Sequence, residues 1–275
     1  MHPELITIGW FKLQSYGVLL AFSFLVGILF AVHRAKKRNI PQNFILDLSI
    51  VIAISSLLGA RFLYVIFHLD EFRGHWLDII SPFQSNGEFG ILGLTMLGGV
   101  LGAILVSWIY VRIKNYNFLK IADIFSPSIA LGLIFVRIGC FLYGCCYGMP
   151  ADGSWWGIVF PLDCPAGATF PGTQIYPTQL FSSFAGVIIL GSLLLLEERP
   201  FPVGFTFFSF LVLYGMKRFL IDILRYYESS MVLVQFGSIR FSVNQGISLI
   251  LMTIGLIGIG ILLQRQYKSK LDSHE

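Results

Sequence analysis

The chain has 275 residues, of which 56% are hydrophobic and only 12% charged, with a formal net charge of +4. Soluble globular domains carry about a quarter charged residues, so this composition excludes a soluble fold. The small positive balance is no nucleic-acid footprint, and nucleic acid is not an expected partner. Apolar runs at about 13–33, 44–68, 91–113, 121–142, 176–196, 202–224 and 243–264 each reach the roughly 20 residues needed to cross a bilayer. They predict an all-α polytopic membrane protein of about seven transmembrane helices, one integral membrane domain over 1–275. The first run follows Lys12 alone and precedes Arg34, Lys36, Lys37 and Arg38, the reverse of a signal peptide's charge order, so it is expected to stay as a helix. The stretch at about 143–175, with Asp152, Trp155, Trp156, Asp163 and Pro165 but no Lys or Arg, reads as a small outer-side head. No internal repeat or low-complexity linker interrupts this plan.

Orientation follows from the cationic loops, which resist translocation. With the amino terminus outside and the carboxyl terminus cytoplasmic, the inside set is Arg34, Lys36, Lys37, Arg38, Arg112, Lys114, Lys120, Arg199, Arg265, Lys268 and Lys270. The outside set is only Lys12, Arg73, Arg225 and Arg240.

Four basic residues belong to no loop: Arg61, Arg137, Lys217 and Arg218. Threading the spans puts Arg61, Arg137 and Arg218 late in three helices that run from inside to outside. Each charge then lies in the outer half of the membrane, where it needs a partner, water or an anionic ligand. Two readings stand: snorkelling charges that fix helix packing, or an anion site. A guanidinium suits phosphate because its planar fork donates two hydrogen bonds and keeps its charge when desolvated. Arg218, Asp222 and Arg225 share one helix face, which makes an Arg218–Asp222 ion pair sterically available. Tyr16, Tyr64, Gln179, Asn244 and Gln245 fall at similar depth, each alone reading as an interfacial or interhelical hydrogen-bonding group. Gly98, Gly99 and Gly102 include a small-xxx-small spacing that suits close helix packing.

In this order the motifs resemble the bacterial prolipoprotein diacylglyceryl transferases over nearly the whole chain. They are Ser15-Tyr16-Gly17, Gly59-Ala60-Arg61 with Tyr64, Leu97-Gly98-Gly99, Asp123 with Pro127, Tyr176-Pro177-Thr178-Gln179-Leu180, Arg218-Phe219-Leu220-Ile221-Asp222 with Arg225, and Ser242 with Gln245. The most specific is Arg137-Ile138-Gly139-Cys140-Phe141-Leu142-Tyr143-Gly144-Cys145-Cys146-Tyr147-Gly148, which resembles the family signature. The resemblance implies transfer of diacylglycerol from phosphatidylglycerol to the lipobox cysteine of a preprolipoprotein in the bacterial inner membrane, without a cofactor. It further implies catalytic roles for Arg137, Arg218 and Tyr16. Substrate binding would fall to Arg61, Tyr64, Tyr143, Gly148, Gln179, Asp222, Arg225 and Gln245, with Asp222 steadying Arg218.

This chain departs from the family pattern at three places. Leu97 stands where the family has histidine, Cys140 where the signature has asparagine, and Cys145 where it has glutamate. Tyr143, Tyr147 and Glu88 are the candidate replacements for the missing base. Alternatively, an acceptor thiol of pKa about 8.5 needs only electrostatic help, and the rate is then expected to rise with pH. A phospholipid- or anion-binding homologue, a transporter, or transfer to another acceptor are the competing functions.

All four cysteines, Cys140, Cys145, Cys146 and Cys164, fall at or beyond the outer end of the fourth span. Free structural thiols, a disulfide from Cys164 to Cys145 or Cys146, and metal or covalent chemistry all remain open. Adjacent Cys145 and Cys146 lack ordinary zinc-ligand spacing and no histidine joins them, so no metal is expected.

Overall fold

The computed structural model describes residues 4–8, 11–72, 93–151, 153–227, 232–236 and 239–272. Arg73, Glu88 and Asp152, named above, lie outside the described residues. Every expected span is helical: α1 Ser15–Lys37, α2 Gln42–Phe67, α3 Met96–Ile113, α4 Phe118–Tyr143, α6 Thr178–Glu197, α7 Phe205–Ile223 and α8 Val243–Asp272, with a short α5 at Pro165–Thr169. Six of the long helices have the length and hydropathy to cross a membrane. The other, α7, has 19 residues and carries Lys217, Arg218 and Asp222. Large apolar side chains such as Leu58, Phe62 and Ile66 are exposed one turn apart on α2, a face suited to lipid rather than water.

Three antiparallel strand pairs complete the fold among the described residues, and hydropathy gave no sign of them. Strand β1 (Glu4–Ile8) pairs with β2 (Phe11–Gln14), which runs directly into α1. Strand β5 (Val232–Phe236) pairs with β6 (Ile239–Ser242), which runs directly into α8. Between α4 and α6, β3 (Ile158–Val159) pairs with β4 (Gln174–Ile175) in the expected small head. Its core is Phe160, Cys164, Ala166 and Ile175, with Tyr147 and Phe170 against it.

The chain divides into two compact units, one of residues 32–121 and one of residues 1–31 and 122–275. In the first, α2 and α3 meet through glycine: a Cβ on Gly59 would come within 2.5 Å of the Gly98 carbonyl oxygen, and one on Gly102 within 2.6 Å of the Ser55 carbonyl oxygen. The expected close packing of Gly98 and Gly102 is therefore present. Thr95 ties the start of α3 to α2, its backbone N–H and hydroxyl both donating to the Ala60 carbonyl at 3.1 and 3.0 Å.

In the second unit α7 and α8 pack closely, with Gly215 against Ser248 and Met252 and Gly255 against Phe208 and Val212. Asp123, buried near the start of α4, accepts hydrogen bonds from the backbone N–H groups of Gly204 at 2.6 Å and Phe207 at 2.8 Å. A carboxylate thus caps a second helix from a distance, satisfying two of its orphan donors and complementing its dipole. Asp123→Ala leaves both N–H groups buried without this acceptor and is expected to cost about 1–3 kcal/mol per group. Thermal unfolding in detergent should show the loss as a clear fall in Tm. An unchanged Tm would mean that water replaces the carboxylate.

Candidate active site

The site is built in the second unit from the end of α4, the turn after it, the start of α6, the end of α7 and the start of α8. Arg137 lies two turns before the end of α4, with Cys140 on the next turn. Gly144 then takes φ +80 and Cys146 φ +59, left-handed conformations that reverse the chain. Such a φ is uncommon for a cysteine. The sulfurs of Cys140, Cys145 and Cys146 all lie within 4.8 Å of one another. The three thiols are thus brought together although Cys145 and Cys146 lack ordinary zinc-ligand spacing.

The start of α6 fixes the turn. Gln179 Nε2 donates to the Cys145 carbonyl at 2.7 Å, and Thr178 Oγ1 donates to the Cys146 carbonyl at 2.9 Å. Gly148 follows, its N–H donating to the Tyr176 carbonyl at 3.0 Å and its backbone bridged to Arg225. A Cβ there would meet the Tyr176 and Leu224 carbonyl oxygens at 2.6 and 2.8 Å, so only glycine fits. Tyr16 on α1 interacts electrostatically with Cys140, Cys145, Cys146 and Arg137, and its ring lies 6.5 Å from that of Tyr143. The Cys146 thiol is pushed well below the ordinary cysteine range by hydrogen bonds from Cys140 and Cys145, then by Arg225 and Arg137; Cys145, a partner in those bonds, is pushed up.

Opposite this turn, α7 supplies Lys217, Arg218 and, just beyond its end, Arg225. Lys217 is only 6% exposed, and its Nζ has no hydrogen-bond partner among the described residues. Its electrostatic neighbours are Arg137, Arg218 and Arg225. The Nε of Arg137 is likewise buried without a hydrogen-bond partner there. The expected link between Arg218 and Asp222 runs instead through Tyr227. Arg218 Nη2 donates to the Tyr227 hydroxyl at 3.2 Å, and that hydroxyl donates to Asp222 Oδ1. Asn244 Nδ2 donates to the same phenol at 3.1 Å, and the Ser242 hydroxyl donates to Asp222 Oδ2. Burial pushes the Tyr227 phenol up to about 12, so it remains a donor at neutral pH.

Gln245 closes a capping box on α8: its N–H donates to Ser242 Oγ at 3.1 Å, and its Oε1 accepts from the Ser242 N–H at 2.9 Å. Gln179 and Gln245 therefore hold backbone here, although Gln179 Oε1 is buried with no partner among the described residues. Tyr147 bonds Thr169 at 2.8 Å within the head. Cys164 is a free thiol that donates to the Pro161 carbonyl at 3.1 Å, and the other three cysteines are free as well.

Arg61 and Tyr64 belong to the other unit. Arg61 is buried, donates to the Gly93 carbonyl at 3.3 Å and lies 5.0 Å from the Phe72 ring centroid and 5.8 Å from that of Tyr64. Leu97 is exposed on α3 of the same unit. Sequence reasoning missed Thr178 and Tyr227. Thr178 had a signal, as the neighbour of Gln179 in a quoted motif, whereas Tyr227 lies in a loop that no spacing rule reaches.

A model of the prolipoprotein diacylglyceryl transferase family matches residues 3–261. The chain belongs to the prolipoprotein diacylglyceryl transferase family. Among relatives named phosphatidylglycerol–prolipoprotein diacylglyceryl transferase, one from Finegoldia magna is 30% identical over 93% of this chain and 92% of its own length. Two from Clostridium perfringens are 30% identical over 98% of both chains and 33% identical over 78% of this chain and 79% of the relative. Prolipoprotein diacylglyceryl transferases are thus matched along nearly the full length, including every segment that builds the site.

Proposed function

We propose that this family member is an inner-membrane enzyme that transfers diacylglycerol from phosphatidylglycerol to the lipobox cysteine of preprolipoproteins. The observation that carries this reading is the gathering of cations: Arg137 Nε and Lys217 Nζ are both buried without a hydrogen-bond partner among the described residues, and Lys217 has Arg137, Arg218 and Arg225 as its electrostatic neighbours. Desolvated cations that face one another call for an anion. The phosphodiester of phosphatidylglycerol supplies it, and the names of the relatives agree.

In the reaction the acceptor sulfur attacks the glyceryl carbon bearing the phosphoester oxygen. That C–O bond breaks, and glycerol phosphate leaves with the electron pair. Arg137 and Arg218 bind the phosphate and stabilise the charge that grows on it. Tyr16 directs its phenol to the same centre, while Asp222, through Tyr227, fixes Arg218. Arg225 adds long-range attraction for the anion. Tyr143 and Gly148 add substrate-binding surface within this unit, and Arg61 and Tyr64 are assigned substrate binding in their own unit. The loop charges support an amino terminus outside, a cytoplasmic carboxyl terminus and a head on the outer side.

Purified protein given phosphatidylglycerol and a lipobox peptide is expected to yield a diacylglyceryl thioether on the peptide cysteine, read by mass spectrometry. No adduct across lipid compositions and acceptor peptides would overturn the reading in favour of phospholipid binding or transport.

A further inference from the structure

The cluster of Cys140, Cys145 and Cys146 has no part in the proposed reaction, yet it brings three reactive side chains together in the site. Zinc bound by thiolates holds sulfur at about 2.3 Å in a tetrahedron, which places its ligand sulfurs a little under 4 Å apart. The three sulfurs here already lie within 4.8 Å of one another, so small side-chain rotations close the site. Their backbone is held in advance. The Cys145 N–H donates to the Cys140 carbonyl at 3.1 Å, Gln179 and Thr178 pin the next two carbonyls, and Cys146 keeps its left-handed φ of +59. A non-glycine residue keeps such a backbone where the surroundings over-determine it, commonly at a ligand clamp.

Charge and access also fit. Three thiolates and one divalent ion leave a net negative complex, and Arg137 and Arg225 stand beside Cys146 to balance it. Cys140 is buried, while Cys145 and Cys146 are half-buried, which leaves a side for a fourth ligand. Cys164, engaged with the Pro161 carbonyl, is not part of the group.

We infer that Cys140, Cys145 and Cys146 bind one zinc ion whose fourth position takes the acceptor cysteine as a thiolate. Three protein ligands with one open position is the arrangement of a catalytic rather than a structural zinc site. On binding, the acceptor S–H loses its proton to solvent. The metal-held sulfur uses a lone pair to form the S–C bond, the C–O bond to phosphate breaks, and glycerol phosphate leaves. The product thioether carries no charge, binds zinc weakly and departs, so the step needs no oxidant or reductant. Two of the departures from the family signature, at Cys140 and Cys145, thus supply two of the three ligands. The metal then performs the activation that the absent histidine at position 97 leaves unassigned. The acceptor role rests on the transferase reading; the metal site does not.

The test uses the full chain in detergent, prepared under reducing conditions. Elemental analysis is expected to find one zinc per chain, lost in Cys140→Ser, Cys145→Ser and Cys146→Ser and kept in Cys164→Ser, with every variant monodisperse. Cobalt exchanged for zinc is expected to give a thiolate-to-metal charge-transfer band and intense tetrahedral visible bands. A lipobox peptide should strengthen the charge-transfer band, and the same peptide with serine for cysteine should not. The rate with metal bound should be flat from neutral to mildly alkaline pH instead of rising with the acceptor thiol. Substoichiometric metal, metal retained in Cys146→Ser, or a cobalt spectrum without thiolate charge transfer would overturn the site, and adduct formation by the metal-free wild type would then leave the transferase reading intact. Stoichiometric metal with no adduct would instead sink the acceptor role together with that reading.

Discussion

Arg137→Ala is expected to lower kcat/KM for diacylglyceryl transfer by about 10²–10³-fold, the effect of deleting one preorganised donor aimed at developing charge. Arg137 leaves its buried Nε without a hydrogen-bond partner among the described residues, so at least this donor is not used by the fold. Arg218→Ala should fall in the same range, because its guanidinium has a fixed orientation through Tyr227. Lysine at either position is expected to recover little, since a point charge does not replace a planar fork on phosphate. Steady-state kinetics with the mass-spectrometric assay measures each variant, and size-exclusion profiles verify that it is folded. Wild-type kinetics in Arg137→Ala would remove the guanidinium from the reaction. A rise in KM alone would make it a uniform binder of lipid instead.

Asp222→Ala should have the largest combined effect on stability and activity. Its carboxylate accepts from Tyr227 and from Ser242, and Ser242 in turn caps α8. Losing it strands two hydroxyl donors, one buried and one half-buried, at a cost of roughly 2–4 kcal/mol and frees Arg218 to reorient. A misplacement of that guanidinium by about 1 Å is worth up to about 10²-fold in rate. Tyr227→Phe separates the two consequences, since it breaks the link to Arg218 while leaving Ser242 on Asp222. It should lose activity with a smaller fall in Tm. If Tyr227→Phe were fully active, the Tyr227 bridge would be a packing detail.

Hydropathy was enough to find α1, α2, α3, α4, α6, α7 and α8, because a bilayer demands long apolar runs whatever else they do. It could not find β2 or β6. Each has only four residues and adjoins a long helix, so its alternation is averaged away over a span-length window. The arginines were legible because charge in an apolar run is conspicuous. Their partners were less so: Arg218 and Asp222 share a helix face, but the fold spends that proximity on Tyr227, from a loop beyond the helix. The grouping of the cysteines was not legible, because it depends on backbone conformation. Neighbouring side chains point apart in extended chain, whereas here the chain turns through a left-handed φ at Cys146 and the sulfurs of Cys145 and Cys146 both lie near that of Cys140.

The carboxylate of Asp123 also acts as a ruler. Fourteen residues separate Asp123 from Arg137 along α4, and fourteen separate Gly204 from Arg218 along α7. At about 1.5 Å per residue both arginines sit roughly 21 Å along their helices from one shared origin, the hydrogen bond between Asp123 and the Gly204 N–H. The two guanidiniums proposed to bind the phosphate are thereby brought to equal height by a clamp at the opposite end of their helices. A single inserted residue in either helix would shift one arginine by about 1.5 Å and about 100° relative to the other.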